Sequence, residues 1–174
     1  LIGEHNRTNI MAAIAIGAAL DIPCNVIKES LEGHVKISGR LEVKRLKKDI
    51  VLIDDSYNAN PSSMMRAIDV LAEYKSNKIL VIGDMAELGN FAIKHHKDLA
   101  KYILEKKIDV VFGVGKMTKL TIDILGDIGR WYASNSDLTI DLEKLLEKEC
   151  IVLIKGSRFM KMEQIVKDLE SRNA

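Results

Sequence analysis

From Arg40 onward the chain switches repeatedly between short apolar runs and longer stretches whose apolar residues recur every three or four positions. Residues 41–46 alternate, as a half-exposed strand does, and residues 50–53 are continuously apolar, as a strand covered on both faces is. The stretches 79–82, 110–114 and 151–154 repeat the second pattern, and 131–133 adds a shorter strand. Helical spacing fills the intervals. Met64, Ala67, Ile68 and Leu71 mark a helix over 61–74; Ile93, His96, Leu99, Ala100, Ile103 and Leu104 mark the next. Further helices are expected near 117–125, over 138–149, and around Met162, Ile165, Val166 and Leu169.

Short, doubly buried strands alternating with amphipathic helices predict an α/β fold: a Rossmann-like parallel sheet with helices on both faces, spanning residues 38–174. Residues 5–32 read differently. Ile10, Ala13, Ile14 and Gly17 form one helical stripe, Ile22-Pro23 interrupts it, and a second short helix covers 25–31. Residues 1–37 are therefore expected to be the tail of a preceding domain, with 33–39 as the connection.

Composition narrows the class. Hydrophobic residues make up 47% and charged residues 29% of the 174, with two prolines, which fits a folded soluble protein and not a disordered one. A net charge of +1 gives no reason to expect nucleic acid or an acidic membrane as partner. Cys24 and Cys150 are far apart and unpatterned, which suits a reducing cytoplasm better than a disulfide framework or a zinc site. The apolar run 10–20 is about half the ~20 residues a bilayer needs. A start at Leu1, without an initiating Met, predicts a piece of a longer protein.

In open α/β sheets, ligands sit beyond the carboxyl ends of the strands, so three loops are candidates for chemistry. The first is Asp54-Asp55-Ser56-Tyr57-Asn58-Ala59-Asn60-Pro61. Successive strand side chains point to opposite faces, so one aspartate serves the cleft and the other pairs locally. Asn60 suits a helix cap and Pro61 the first helical position, which leaves Asp55, Tyr57 and Asn58 for a ligand. The second loop, Gly83-Asp84-Met85-Ala86-Glu87-Leu88-Gly89, allows sharp turns, and Asp84 could cap a helix or receive an amine. The third, Lys155-Gly156-Ser157-Arg158, places two cations around Gly-Ser at a strand end, an arrangement suited to an anion. Ahead of the sheet, Asn6 and Asn9 share a helix face, and each carboxamide offers the donor and acceptor that an adenine edge needs.

Two arrangements are decoys. Gly113-Val114-Gly115-Lys116-Met117-Thr118 lacks the first glycine of a phosphate loop, and no Ser or Thr follows Lys116 directly. His95 and His96 point about 100° apart on a helix, so they make no metal pair, and His96 falls on the apolar stripe.

Taken together and in order, these segments resemble the Mur ligases, the ATP-dependent amide-bond ligases of peptidoglycan assembly. Gly3-x-His5-Asn6-x-x-Asn9 is similar to the end of that family's central ATPase domain. Gly39-Arg40-Leu41-Glu42 looks like the lead-in to its C-terminal domain, and residues 54–61 resemble its strand-loop motif. Gly83-Asp84-Met85-x-Glu87-Leu88-Gly89 and Lys155-Gly156-Ser157-Arg158 point to the member that adds D-alanyl-D-alanine to UDP-N-acetylmuramoyl-tripeptide.

The resemblance implies that His5, Asn6, Asn9, Arg40 and Asp55 bind nucleotide. It also implies that Tyr57, Asn58, Asn60, Lys155, Ser157 and Arg158 face the dipeptide. ATP activates the tripeptide carboxylate as an acyl phosphate, and the dipeptide amine attacks, releasing phosphate. The phosphate loop, the Mg2+ ligands and the UDP-binding domain are expected upstream of Leu1, with residues 1–37 as the helical end of the ATPase domain. The fragment alone is expected to be inactive, with no catalytic or metal-binding residue of its own. The alternatives are a stand-alone binding module of the same fold and another amide ligase of this architecture, of folylpolyglutamate or cyanophycin type.

Overall fold

The computed structural model describes residues 5–32, 38–146 and 149–172, with the side chains of His5 and Asn6 outside that set. The chain divides into two compact units, 1–37 and 38–174. In the first unit, α1 (His5–Ala19) turns into α2 (Cys24–Glu32). Asp21 takes a positive φ of 54° at the turn, and Ile22 N–H closes it on Gly17 O at 3.0 Å. Pro23 then starts α2, accepting from Val26 and Ile27 N–H. Of the expected stripe, Gly17 is buried and Ile10 half-buried, while Ala13 and Ile14 are exposed.

The second unit is built on six strands: β1 (Glu42–Arg45), β2 (Val51–Asp55), β3 (Asn77–Gly83), β4 (Val110–Val114), β5 (Gly129–Tyr132) and β6 (Cys150–Lys155). Their order is β1-β2-β6-β3-β4-β5. Pairing is parallel throughout except at β1, which runs antiparallel to β2 on the edge. The exception follows from the connection. Only five residues join β1 to β2, Lys48 and Asp49 both have positive φ, and Leu46 N–H bonds Ile50 O at 2.9 Å. A parallel partner would need a crossover of a dozen residues or more.

Helices α3 (Pro61–Ala72), α4 (Ala92–Glu105), α5 (Thr118–Leu125), α6 (Asn135–Glu143) and α7 (Glu163–Arg172) cover the sheet. One core packs α6 and α7 side chains, such as Leu138, Leu142, Ile165 and Leu169, on Leu52, Val81, Phe112 and Ile154. On the other face α3 packs on β3 and β6, and α5 on β4. There Met64, Ile68, Leu71, Leu99, Ile103 and Ile122 are buried. Helix α6 stops at Glu143, short of the expected 149. Leu145 and Leu146 N–H reach back three residues, to Leu142 and Glu143 O, tightening the chain out of the α-helix. Residues 147–148 lie outside the described set.

Register fixes where the loops emerge. Asp55 pairs with Lys155, Lys155 with Ile82, and Gly83 with Val114. Residues 55–60, 83–89 and 155–158 therefore leave one rim, at the carboxyl ends of parallel strands.

Candidate functional site

The rim is organised around a buried ion pair. Lys155 Nζ lies 2.6 Å from Asp55 Oδ2 and donates to Asn58 O at 2.8 Å. The other oxygen, Asp55 Oδ1, accepts from Leu41 N–H at 3.1 Å. Burial pushes the Asp55 carboxyl up and the Lys155 ammonium down, and the charge of each opposes the shift of the other. The neighbouring aspartate turns away, as strand alternation requires. Asp54 Oδ1 accepts from Ser56 N–H and Oγ, and Oδ2 lies 4.0 Å from Lys44 Nζ.

Ser157 joins the three loops. Its hydroxyl donates to Ala59 O at 3.2 Å and accepts from Ala86 N–H at 2.7 Å, and its own N–H bonds Asp84 O at 3.1 Å. Asp84 takes the helix-capping role, but for a helix beyond the next strand. Its carboxylate accepts from Thr118 and Met117 N–H at 2.7 and 3.2 Å, at the start of α5. Gly115 makes this possible: with φ at 114°, a Cβ there would sit 2.3 Å from Asp84 Oδ1.

His96 is buried behind the same loop. Thr121 Oγ1 gives its proton to His96 O, so the 3.2 Å contact from His96 Nδ1 carries the ring proton. That leaves Nε2 to accept from Met85 N–H at 3.4 Å, and burial lowers the pKa of the ring. His96 is thus a neutral core residue holding the 83–89 loop.

The groups left for a ligand are those that remain exposed. Arg40, Tyr57, Asn58 and Arg158 are all open to solvent. The Arg40 guanidinium carbon lies 4.5 Å from the Tyr57 ring centre and that of Arg158 lies 5.8 Å from it. Arg158 also reaches Glu163 at 3.4 Å. Gly39, at φ 76°, brings its carbonyl to Tyr57 N–H at 3.0 Å, so the turn bearing Arg40 is stitched onto the β2 loop. Asn58 Oδ1 accepts from Ala59 N–H. Asn60 completes a capping box with Ser63, its side chain accepting from Ser63 N–H at 2.8 Å, and Pro61 opens α3.

Of the nucleotide residues expected in the first unit, Asn9 is exposed on α1, and the side chains of His5 and Asn6 lie outside the described residues. Two rim partners have no sign in the sequence, Leu41 N–H and Ala86 N–H, because backbone donors leave no signature in residue identity. The cap by Asp84 is as expected, but the helix it serves, α5, is set only by the assembled sheet. Among the described residues no group of three or more His, Cys, Asp or Glu could hold a metal ion, and no helix is long and apolar enough to cross a membrane.

A family model for the Mur ligase glutamate ligase domain matches residues 39–158, a stretch that begins just before Arg40 and ends at Arg158. The chain belongs to the Mur ligase family. A UDP-N-acetylmuramoyl-tripeptide–D-alanyl-D-alanine ligase from Buchnera aphidicola subsp. Baizongia pistaciae is 37% identical over 97% of this chain and 37% of its own length. A Bacillus subtilis ligase of the same name is also 37% identical, over 97% of this chain and 38% of its own. MurF from Acinetobacter baumannii superimposes with a TM-score of 0.87 at 32% identity, covering 98% of this chain and 38% of that one. The MurF ligase from Thermotoga maritima in complex with ADP shares the fold at 22% identity, with a TM-score of 0.85. The chain spans 37–38% of the length of these two curated relatives. Every rim residue named above from Arg40 to Arg158 falls inside the Mur ligase match.

Proposed function

We propose that this chain is the nucleotide- and dipeptide-facing part of an ATP-dependent ligase that joins D-alanyl-D-alanine to UDP-N-acetylmuramoyl-tripeptide, in the cytoplasm, during peptidoglycan precursor synthesis. The observation that carries this reading is 37% identity to a ligase of that name over 97% of the chain, rim included. The solved ADP complex of a protein with this fold is consistent with a nucleotide substrate.

Exposure divides the labour within the rim. Arg158 is solvent-accessible and can grip the dipeptide carboxylate with two parallel bonds. Tyr57 and Asn58 line the same approach. Arg40 reaches the nucleotide, and residues 1–37, through His5, Asn6 and Asn9, supply the adenine contacts. Asp55, Lys155 and Ser157 are buried and spend their polar atoms on protein partners, and Asn60, though exposed, uses its side-chain oxygen to cap α3; these four act by holding the other groups in place. In the reaction, the tripeptide carboxylate takes the terminal phosphoryl group of ATP, releasing ADP. The dipeptide amine then attacks the acyl carbon, and collapse of the tetrahedral adduct expels phosphate. The part of this chain is to hold the amine donor by its far carboxylate, at the range where proximity lowers the barrier. Mg2+ would offset the charge on the transferred phosphoryl group; among the described residues no group of three or more His, Cys, Asp or Glu could hold it.

Phosphate release by the full-length gene product, supplied with ATP, Mg2+ and the UDP-linked tripeptide, tests the reading. Release is expected with D-alanyl-D-alanine and absent with glutamate in its place. The opposite preference contradicts the substrate assignment.

A further inference from the structure

We propose that Tyr57 is a positioning residue: its ring is a common platform that sets Arg40 and Arg158, and through them ties the nucleotide side of the rim to the dipeptide side. The proposal rests on the functional reading above, and it goes beyond that reading in giving one aromatic ring a hold on both ligands.

The two arginines are far apart in sequence, and the backbone on either side of Arg40 and before Arg158 is tied down by hydrogen bonds. Gly39 and Leu41, flanking Arg40, both bond to the β2 loop, through Tyr57 N–H and Asp55 Oδ1. Ser157, preceding Arg158, is tied to Ala59, Ala86 and Asp84. These bonds aim both side chains at the Tyr57 ring, where the guanidinium carbons sit 4.5 and 5.8 Å from its centre. The face of an aromatic ring attracts a cation, whereas the two guanidiniums repel each other. The ring therefore offsets the repulsion and holds both cations on one exposed surface. Among the described residues Arg40 has no carboxylate partner, and Arg158 has one, Glu163 at 3.4 Å. A positive pair held this way is preorganised for anionic ligands, and the side chains lose less freedom when those ligands bind.

The ring, not the phenol, is the working part. Tyr57 is 45% exposed, so losing it disturbs little of the core. In the full-length enzyme, Tyr57→Phe, which keeps the ring, should raise either KM by less than Tyr57→Leu does. Tyr57→Leu should raise KM for ATP and for D-alanyl-D-alanine by about two- to fivefold each, the size of an exposed cation–π contact. The rise in ATP KM should vanish when Tyr57→Leu is made in an Arg40→Gln background. The rise in dipeptide KM should vanish in an Arg158→Gln background. Tyr57→Leu effects that persist in those backgrounds, or no effect at all while each arginine variant alone raises a KM, overturn the platform and leave the rim assignment standing. If neither arginine variant changes either KM, the rim assignment and the platform both fail.

Discussion

Replacing Lys155 with methionine keeps most of the length of the side chain and removes its charge. Lys155 and Asp55 are 3% and 9% exposed and their charged atoms are 2.6 Å apart. The variant leaves Asp55 with one donor, Leu41 N–H at 3.1 Å, and strips the Asn58 carbonyl of its 2.8 Å donor. Removing one member of a buried ion pair costs about 3–5 kcal/mol, because the remaining charge stays desolvated and unpaired. An exposed pair would cost at most about 1 kcal/mol, so burial decides the size of the effect. Asp55 can relieve part of the loss by taking up a proton. Burial already pushes its carboxyl up, and Lys155 is the main force opposing that. A carboxyl whose folded pKa lies above its unfolded value stabilises the folded state at low pH and loses that contribution as pH rises through the folded value. The deficit of the variant should therefore be largest near pH 8 and shrink toward pH 5. Urea denaturation of the 174-residue chain at both pH values measures this. Adding Asp55→Asn to Lys155→Met removes the stranded charge and should recover half or more of the loss. A deficit below about 1 kcal/mol at pH 8, or an unrelieved deficit in the double variant, refutes the ion pair as the spine of the rim.

Two further outcomes follow from the same framework. Gly115→Ala forces a side chain into a positive-φ site and against Asp84, dislodging the α5 cap; stability should fall by about 2–4 kcal/mol in chemical denaturation, from strain plus the lost cap. An unchanged midpoint would contradict that packing. His96 is held neutral by burial, against the charge of Asp84 and with His95 adding to the downward shift. Because its folded pKa lies below its unfolded one, it costs nothing well above the unfolded value of about 6.5 and lowers stability as pH falls through it. Denaturation between pH 8 and 5 should thus show a steeper loss for the parent chain than for His96→Gln, and equal slopes would contradict a buried neutral imidazole.

The alternation of buried runs with amphipathic helices was legible because each strand of a covered parallel sheet is apolar on both faces. It gave the order of elements and the rim where loops converge. The splitting of Asp54 from Asp55 was equally legible, since strand geometry alone forbids a shared face, and Asn60-Pro61 announced its cap. The antiparallel edge was less so: the short turn 47–50 carries Lys48 and Asp49 in the left-handed region, which residue type does not advertise. The partners of Lys155 were hidden for a different reason. A lysine at a strand end looks solvated until the strand order sets β6 beside β2 and closes the rim over it. The residues expected to touch ligand therefore separate into exposed and buried sets only once the sheet is assembled. Arg158 falls in the first, and Lys155 and Ser157 in the second.

The most direct measurement of whether this rim handles the dipeptide is the pair of KM values for Arg158→Ala in the full-length enzyme. Loss of a charge-assisted pair to the terminal carboxylate, about 1.5–3 kcal/mol, predicts a dipeptide KM raised roughly 10- to 150-fold, with the ATP KM changing far less. Equal changes in both, or none in either, would contradict it.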